Sequence, residues 1–566
     1  MHRTDVLVIG SGAAGLRTAI ELNERGVDVL VLGKCKRGDA HTVMATGGIN
    51  AALATMDTKD SWLVHVADTL KEGRFIADAR EVELLCRNAP RAIKELADWG
   101  VKFHREADGR LTQRFFGAHT YRRTCFVGDE TGKDIERALV KEAERRKIQI
   151  LGEMYITKLL KSGGTVNGAA GFDMRTNEQF VCAAKAVVLA TGGHSRLYRR
   201  SSSRIMENTG DGVTLAYEAG ALLEDMEMVQ FHPTGMVWPP VMEGTLVTEA
   251  VRGEGGVLTN AKGQHFMTKY DRRGELGPRD VVARAIYNEI ISGRATKHHG
   301  VWLDVTKLPK EKILERIPKV YRQFAEAGVD VTRERMEVAP TAHYSMGGVH
   351  VKNGATRVRG LYAVGEVTSG VHGANRLGGN SLAETVVFGR LVGEAVAKFC
   401  KRTKRTEADA RAVERAQIEL EDLRKQKGKY APRDLRAELQ NVMWDNAGIV
   451  RNARDLKEGM ERLGELRKKM DEMDISGTAE RLVTALDLKN LLVPAEAVLR
   501  SALVRCESRG AHYRSDYPEE SRRWTANIGC SKGSGGMTVS KRPVPKPSEA
   551  ILKAVKSVGA AHKLLE

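Results

Sequence analysis

Short continuous runs of apolar residues, each followed by glycine, recur along the chain. Residues 4–10 form the first run, and a glycine turn at 10–15 leads into a helical pattern of apolar positions. Gly26 ends this pattern, and residues 27–32 form a second apolar run. A buried strand, a glycine turn, a helix and a second buried strand within about 30 residues predict a βαβ unit of a parallel sheet.

Two later runs repeat the pattern of a buried strand that ends in glycine, at 187–193 and 360–365. After residue 401 the pattern changes to charged helices with an apolar stripe, the clearest of them at 409–425, 435–444 and 455–473. We therefore predict an α/β protein with a Rossmann-like domain, followed by a bundle of helices with solvated faces.

Composition limits the classes of partner. Lys and Arg total 90 and Asp and Glu total 73, which gives a net charge of +17. The basic residues are spread along the chain and aromatic residues are scarce, so no nucleic-acid binding is predicted. We expect instead a basic surface that attracts an anionic substrate, a partner protein or an acidic membrane face.

The seven cysteines lack the close spacing of a zinc or iron–sulfur site. No metal site is therefore predicted, and so few scattered cysteines suggest a reducing compartment. No apolar run approaches the roughly 18 residues of a membrane span. We expect a cytoplasmic chain with no direct membrane span, which reaches the inner face of the cell membrane only through partner subunits.

The first glycine turn predicts one end of a dinucleotide site, because glycine lets a pyrophosphate approach the N-terminus of the following helix. The contacting residues predicted here are Gly10, Gly12, Ala13, Ala14 and Gly15. Gly33 and Lys34 stand where an acid would hold the ribose of NAD. This argues against a standard NAD site and is compatible with FAD, with Lys34 as a further contact.

Several polar residues outside that turn are candidates for chemistry. His232 precedes a proline and is held in extended backbone. Thr248, Glu249 and Arg252 are spaced to form a hydrogen-bonded relay. Arg376 lies in a glycine-rich stretch with no acidic neighbour to neutralise it. Each of these residues taken alone also fits an ordinary turn, loop or surface position, so local sequence leaves both interpretations open.

Taken together, the motifs resemble those of succinate dehydrogenase and fumarate reductase flavoprotein subunits over essentially the whole chain. They occur in the family order, which makes chance an insufficient explanation. The motifs are His41-Thr42, Phe231-His232-Pro-Thr-Gly235, Thr248-Glu249, Arg252-Gly-Glu-Gly-Gly256, Arg279-Asp280, His343-Tyr344, Met346-Gly-Gly348, His372-Gly-Ala-Asn-Arg-Leu-Gly-Gly-Asn-Ser381, Glu507-Ser-Arg-Gly-Ala-His512 and Asp516-Tyr-Pro518.

The resemblance implies a Rossmann-like FAD-binding domain, 1–225 plus 346–400, interrupted by an α+β capping domain at 226–345. A helical domain at 401–525 and a C-terminal tail at 526–566 follow. It also implies that FAD is attached covalently through His41. The further FAD contacts that it implies are Thr42, Gly47, Gly48, Ala190, Thr191, Gly192, Asp211, Glu366, Arg376, Ser381 and Leu382.

In that family the substrate is a four-carbon dicarboxylate, succinate or fumarate, held between the flavin and the cap. Charge-assisted donors hold its carboxylates. By resemblance, the residues in these positions are His232, Thr248, His343 and Arg376. The resemblance also implies that Arg279 transfers the proton at the substrate and regains a proton through Glu249 and Arg252. The implied protein partner is an iron–sulfur subunit, with membrane anchor subunits as further partners.

Two other functions fit part of the motif set. L-aspartate oxidases share the fold, but Phe116 stands where their glutamate faces the substrate amine, and they lack the linking histidine present here as His41. A catalytically inactive flavin-binding assembly subunit is not expected to retain all five substrate-side motifs. Thr46 matches neither the glutamate of fumarate reductases nor the glutamine of succinate dehydrogenases, so the direction stays open. A quinone-linked membrane complex and a soluble thiol-linked reductase are both compatible with the sequence.

Overall fold

A computed structural model describes residues 1–404 and 407–558. The strands in these ranges fall into five sheets. In chain order they are β1 (His2–Arg3), β2 (Val6–Ile9), β3 (Val29–Leu32), β4 (Ile49–Asn50), β5 (Gln113–Arg114), β6 (Thr124–Cys125), β7 (Gln149–Leu151), β8 (Met154–Ser162), β9 (Thr165–Asp173), β10 (Gln179–Ala183), β11 (Ala186–Leu189), β12 (Leu223–Glu224), β13 (Val229–Met236), β14 (Val257–Thr259), β15 (Val301–Asp304), β16 (Met336–Ser345), β17 (Gly348–Val349), β18 (Leu361–Ala363), β19 (Ala526–Gly533) and β20 (Gly536–Pro543).

The α-helices of the same ranges surround these sheets and form most of the C-terminal third. In chain order they are α1 (Ala13–Glu24), α2 (Trp62–Glu72), α3 (Ala79–Asp98), α4 (Thr131–Arg145), α5 (Asp211–Ala219), α6 (Ala250–Gly253), α7 (Arg279–Glu289), α8 (Lys310–Arg316), α9 (Pro318–Glu326), α10 (Asn380–Arg402), α11 (Ala410–Lys425), α12 (Pro432–Ala447), α13 (Ala453–Asp471), α14 (Ala479–Val504) and α15 (Glu549–Ser557).

The central sheet is parallel throughout, in the order β18-β11-β2-β3-β7. The four apolar runs predicted as buried strands are confirmed as β2, β3, β11 and β18. Helices α1 and α10 pack on each other, and both belong to the apolar core formed with this sheet. This is the Rossmann-like part of the predicted fold, and its strand ends carry the cofactor motifs.

The capping region is an antiparallel sheet in the order β13-β16-β15-β14, covered by short helices α6 to α9. It has its own core, in which Phe266, Phe324 and Met336 are buried. Strand β13 carries register shifts at Gln230/Phe231 and at His232/Gly235. Because irregularities of this kind re-aim side chains, they decide how the Gln230 and His232 side chains are presented.

Helices α11 to α13 confirm the three helices predicted after residue 401, and α14 adds a longer one of 26 residues. Residues 526–543, within the segment predicted as a tail, form a hairpin whose first strand pairs with β12. Ile551 and Val555 of α15 pack in a cluster with α2. Within the described residues, the helices are too short or too polar to cross a membrane, and the His, Cys, Asp and Glu side chains form no cluster of metal ligands.

Candidate active site

The carboxyl ends of three neighbouring parallel strands open into one cavity. β2 leads into the turn at 10–14, β11 into 190–192 and β18 toward Glu366, and all of these line the cavity. Gly10 has φ of 120°, and a Cβ there would lie 2.0 Å from the Ala190 carbonyl oxygen. Only glycine fits between these strand ends, which explains the first glycine of the predicted turn.

Two helices begin at this cavity with a glycine at the N-cap position, which has no side chain to cap the first turn. Their N-cap residues are Gly12 for α1 and Gly379 for α10, and Ser381 and Leu382 in the first turn of α10 line the cavity. Backbone N–H groups at a helix N-terminus lack partners within the helix and favour an anion. The Thr191 hydroxyl of the lining is buried, with no partner among the described residues. These donors fit the pyrophosphate and flavin of FAD.

Lys34 closes one end of the cavity. Its Nζ donates hydrogen bonds to Thr209 Oγ1 (2.8 Å), Asp211 Oδ2 (3.0 Å) and Asp487 Oδ1 (2.6 Å). Burial opposes the charged form, but Asp211 and Asp487 outweigh it and raise the pKa of Lys34. Asp487 lies on α14, so the helical domain holds this lysine in place. Sequence reasoning missed Asp487, which is 453 residues from Lys34.

His41 and Thr42 form a 3₁₀ turn beside the start of α1. Thr42 Oγ1 accepts a hydrogen bond from the Ala13 backbone N–H (3.0 Å), which fixes the turn against the glycine-rich segment. His41 Nδ1 lies 2.9 Å from Glu207 Oε2. His41, Thr42 and Glu207 all line the cavity. Glu207 was not among the predicted site residues.

Gly47 packs against the ring of Phe116, and Gly48 packs against the Cys125 carbonyl oxygen. A Cβ at Gly47 would lie 3.1 Å from Phe116 Cζ, and Gly48 has φ of 119°. Arg114 Nε donates to the Gly47 carbonyl oxygen (3.0 Å). Burial lowers the pKa of Arg114 to about 10. Sequence reasoning missed Arg114, whose contact with this segment is to backbone oxygen and leaves no sequence signal.

Two histidines meet at the other end of the cavity from adjacent strands. His232 of β13 and His343 of β16 have ring centroids 5.4 Å apart. His232 Nδ1 lies 3.2 Å from the Thr234 backbone nitrogen, and His343 Nδ1 lies 2.9 Å from Ser202 Oγ. Burial and nearby arginines lower the pKa of both rings well below the usual range. Both rings are therefore neutral at pH 7 and anchored through Nδ1. His232 Nδ1 also lies 3.1 Å from the Thr234 carbonyl oxygen, so both tautomers of His232 find a partner, whereas His343 donates through Nε2 when Ser202 donates to its Nδ1.

Two arginines lie beside these rings and share one partner. Gln230 Oε1 accepts from Arg376 Nη2 (3.0 Å) and from Arg279 Nη1 (3.2 Å). The Arg376 guanidinium also stacks 4.5 Å from the Tyr344 ring centroid. Burial and the neighbouring Arg279 charge lower the pKa of Arg376 to about 10. The two cations share a neutral amide, and among the described residues Arg376 forms no ion pair, so its buried charge suits an anionic ligand. Gln230 was not predicted.

Glu249 pairs with Arg279, whose Nε donates to Glu249 Oε2 at 2.9 Å. Burial would raise the pKa of Glu249, but the Arg279 and Arg252 guanidiniums lower it to about 2. Arg252 lies behind this pair, and its Nη1 donates to the Glu275 carbonyl oxygen. Thr248 lies next to Glu249 in the cavity wall. The predicted relay is thus directly bonded at its Arg279–Glu249 step, and Arg252 acts on Glu249 through charge.

The cavity therefore brings the predicted site residues together, with two placed just outside its wall. Gly15 packs against the glycine turn, since a Cβ there would lie 1.9 Å from the Gly10 carbonyl oxygen. Arg252 is the second. A parallel sheet with an anion-binding cavity at its strand ends, covered by a cap that supplies buried cations, defines a flavin-dependent oxidoreductase with a site for a small anion.

Comparison with known proteins gives the family. The FAD binding domain family matches residues 5–382, and the Fumarate reductase flavoprotein C-term family matches 436–550. One subunit of the fumarate reductase (CoM/CoB) of Methanothermobacter marburgensis is 46% identical, covering 93% of this chain and 97% of that protein. The succinate dehydrogenase flavoprotein subunit of Rickettsia bellii is 38% identical, with 92% and 91% covered.

Among solved structures, Sdh1 of Mycobacterium smegmatis in complex with UQ1 superposes with a TM-score of 0.91 and 41% identity, covering 99% of this chain and 97% of that one. The chain belongs to the succinate dehydrogenase and fumarate reductase flavoprotein family, and it is an FAD-dependent oxidoreductase. The expected family and its fold are confirmed.

Proposed function

We propose that this chain is the catalytic flavoprotein subunit that interconverts succinate and fumarate. The observation that carries the proposal is the cluster at the capped end of the cavity. There His232, His343, Arg279 and Arg376 converge. Arg279 is paired with Glu249, whereas Arg376 feels Glu366 and Glu384 only through charge and forms no ion pair among the described residues. A dicarboxylate supplies the missing negative charge at two separated points. The names of the related chains, fumarate reductase and succinate dehydrogenase, support the same substrate pair.

The side chains have distinct proposed roles. Arg376 presents a planar fork that can grip one carboxylate in two places, and the neutral His343 donates through Nε2. Thr248 adds a hydroxyl donor from the cavity wall. These contacts hold the substrate rigidly, which aligns its reacting carbons with the cofactor and excludes water. When bound, FAD supplies the hydride chemistry.

Arg279 is the proposed proton carrier at the substrate carbon next to the one that exchanges hydride. A free guanidinium releases a proton reluctantly near neutral pH, so this role needs a base in contact with it. Glu249 meets that need, because its carboxylate is ionised and lies 2.9 Å from Arg279 Nε. Arg252 is the proposed source of the proton that returns to Glu249. The arrangement is compatible with proton transfer in either direction of the reaction.

We also propose that FAD is attached covalently through His41, which lines the cavity at the start of α1. Electrons are proposed to pass to or from an iron–sulfur subunit, because the described residues hold no cluster of metal ligands. The relative from Methanothermobacter is likewise named as one subunit of its enzyme. Membrane anchor subunits are proposed to hold the complex at the inner face of the cell membrane, and copurification of partners from the native source tests both assignments.

The substrate assignment is tested by anaerobic reduction of the bound flavin. Succinate is expected to bleach the flavin absorbance, whereas L-aspartate is expected to leave it unchanged, because Phe116 gives no counter-charge for an ammonium group. The control is dithionite, which reduces the flavin regardless of substrate. Bleaching by L-aspartate at an efficiency comparable to that of succinate would instead identify an L-aspartate oxidase. Failure of both compounds would contradict the catalytic assignment.

A further inference from the structure

His41 belongs to a network of charged side chains that the proposed reaction does not use. Its Nδ1 lies 2.9 Å from Glu207 Oε2, and the Glu207 side chain is only 5% exposed. Glu207 accepts three further hydrogen bonds from Arg204: from its Nε (2.9 Å), from its backbone N–H (3.1 Å) and from its Nη2. The carboxylate is therefore fixed in position before it meets the histidine.

Arg204 also ties the network to the segment that carries His41. Its Nη1 donates to Asp39 Oδ1 (2.6 Å) and its Nη2 donates to the Asp39 carbonyl oxygen (2.6 Å). Asp39 lies two residues before His41. The two segments are thus joined both through Arg204–Asp39 and through Glu207–His41, so that the imidazole ring has little freedom to turn.

This geometry selects one tautomer of the ring. Burial alone would raise the pKa of Glu207, but the contacts with His41 and Arg204 lower it to about 2, so it is a carboxylate at neutral pH. A carboxylate can only accept a hydrogen bond. Burial would lower the pKa of His41, but Glu207 outweighs it and raises that pKa, so the ring holds its second proton more firmly than a free imidazole. Once Nε2 has released that proton to solvent, the remaining hydrogen lies on Nδ1 against the carboxylate, which leaves the lone pair on Nε2.

We infer that Glu207 is the residue that positions His41 for attachment to the flavin, by holding Nδ1–H so that Nε2 is the nucleophile. This inference rests on the proposed covalent link. Attachment forms the bond from Nε2 to the 8α carbon of the flavin and breaks one C–H bond at that carbon. Nε2 supplies the electron pair of the new bond, and the proton goes to solvent. The pair from the C–H bond stays on the flavin until fumarate, the oxidant of the proposed reaction, accepts it with protons.

The test is the rate at which acid-stable flavin forms when flavin-free protein is mixed with FAD and fumarate. Glu207→Gln keeps the size and an acceptor oxygen but loses the charge and the fixed tautomer. We expect it to slow attachment by about tenfold or more, as loss of an orienting partner does elsewhere. Glu207→Asp restores the charge and is expected to recover part of the rate. His41→Ser has no ring nitrogen to form the link, so it gives the background level of acid-stable flavin.

Asp39→Asn is the matched control, since Asp39 contacts Arg204 and not His41. Total flavin, released plus acid-stable, is measured for each variant, and equal totals show that the site is intact. If Glu207→Gln binds no flavin, the comparison of Glu207→Asp with Asp39→Asn decides, and equal attachment rates in these two would contradict the inference. Attachment by Glu207→Gln at the wild-type rate would also contradict it. Absence of acid-stable flavin from the wild type would instead overturn the covalent link itself.

Discussion

Two buried clusters of charge in this molecule differ in how completely their cations are paired. In the first, near the C-terminal signature, Arg505 donates through all three nitrogens to Glu227, Glu507, Asp225 and two backbone carbonyl oxygens. Arg509 is likewise bonded through all three nitrogens. We call this group the closed cluster. Its cations retain no donor for a ligand, so its role is structural.

The second group, the open cluster, consists of Arg376, Arg279, Arg252, Glu249 and Gln230 beside the cavity. Arg376 Nε and two nitrogens of Arg252 are buried without hydrogen-bond partners among the described residues. Buried polar groups normally find partners, and those that lack one indicate a ligand or ordered water. The contrast teaches that burial of charge alone does not mark a functional site. Unmet donors indicate a ligand only where they meet a cavity, as at Arg376, because Arg17 and Arg451 also have buried nitrogens without partners and lie outside it.

The largest expected effect comes from substituting the proton carrier of the open cluster. Arg279→Lys removes the fork that contacts both Glu249 and Gln230, and we expect kcat for fumarate reduction to fall by about 10³-fold. Binding of malonate, a dicarboxylate that does not react, is expected to stay within a few-fold of wild type. Stopped-flow flavin oxidation and a malonate titration measure the two quantities.

Arg376→Lys is the control for that experiment, because this side chain is proposed to grip the carboxylate. It should raise KM, lower kcat and weaken malonate binding together, since grip and alignment fail at once. A variant of Arg279 that turns over within a few-fold of wild type, or that loses malonate as completely as the Arg376 variant, would show that Arg279 is a second clamp.

Substitution in the closed cluster is expected to affect stability and not substrate affinity. Glu507 accepts from Arg505, from Arg509 and from the Ser521 backbone N–H. Glu507→Gln removes a negative charge from between the buried guanidiniums of Arg505 and Arg509. We expect this to cost about 3–5 kcal/mol of folding free energy. The measurements are the denaturant midpoint and the KM of the folded fraction, which should match that of wild type.

Glu419→Gln provides the comparison, since Glu419 forms an exposed pair with Lys158. Such pairs contribute at most about 1 kcal/mol, so this variant should unfold close to wild type. A raised KM in Glu507→Gln with an unchanged midpoint would mean that the closed cluster serves the site after all.

The features that could be predicted from the sequence are those that a local pattern of residues determines. The turn from Gly10 to Gly15 was predictable because glycine, strand and helix signals are contiguous and each has a steric cause. Four of the five strands of the central sheet followed from apolar runs of the length of a buried strand, and β7 was not predicted. The substrate-side residues were assigned by resemblance, and the structure now places most of them around one cavity.

The unpredicted residues share a different property, since each acts through the partner that it holds. Asp487 contacts Lys34 from another domain, and Glu207 contacts His41 across 166 positions of the chain. Gln230 directly precedes the motif that begins at Phe231, but its bridging of two arginines depends on the register shifts of β13. Pairings set by tertiary packing leave no periodic trace, so sequence alone could not reveal them.

The smallest expected effect concerns Ser202, which holds one ring of the open cluster through a single contact of 2.9 Å from its Oγ to His343 Nδ1. The proposed substrate contact needs the hydrogen of the neutral ring on Nε2 and hence the Ser202 hydroxyl as donor to Nδ1, and Ser202→Ala removes that donor. One such hydrogen bond contributes about 1 kcal/mol, which corresponds to a rise of about fivefold in KM for fumarate with little change in the unfolding midpoint. The adjacent Ser203 is the matched control, because its Oγ contacts Ser195 and Asn208 instead. Equal KM values for Ser202→Ala and Ser203→Ala would show that the histidine needs no such orientation.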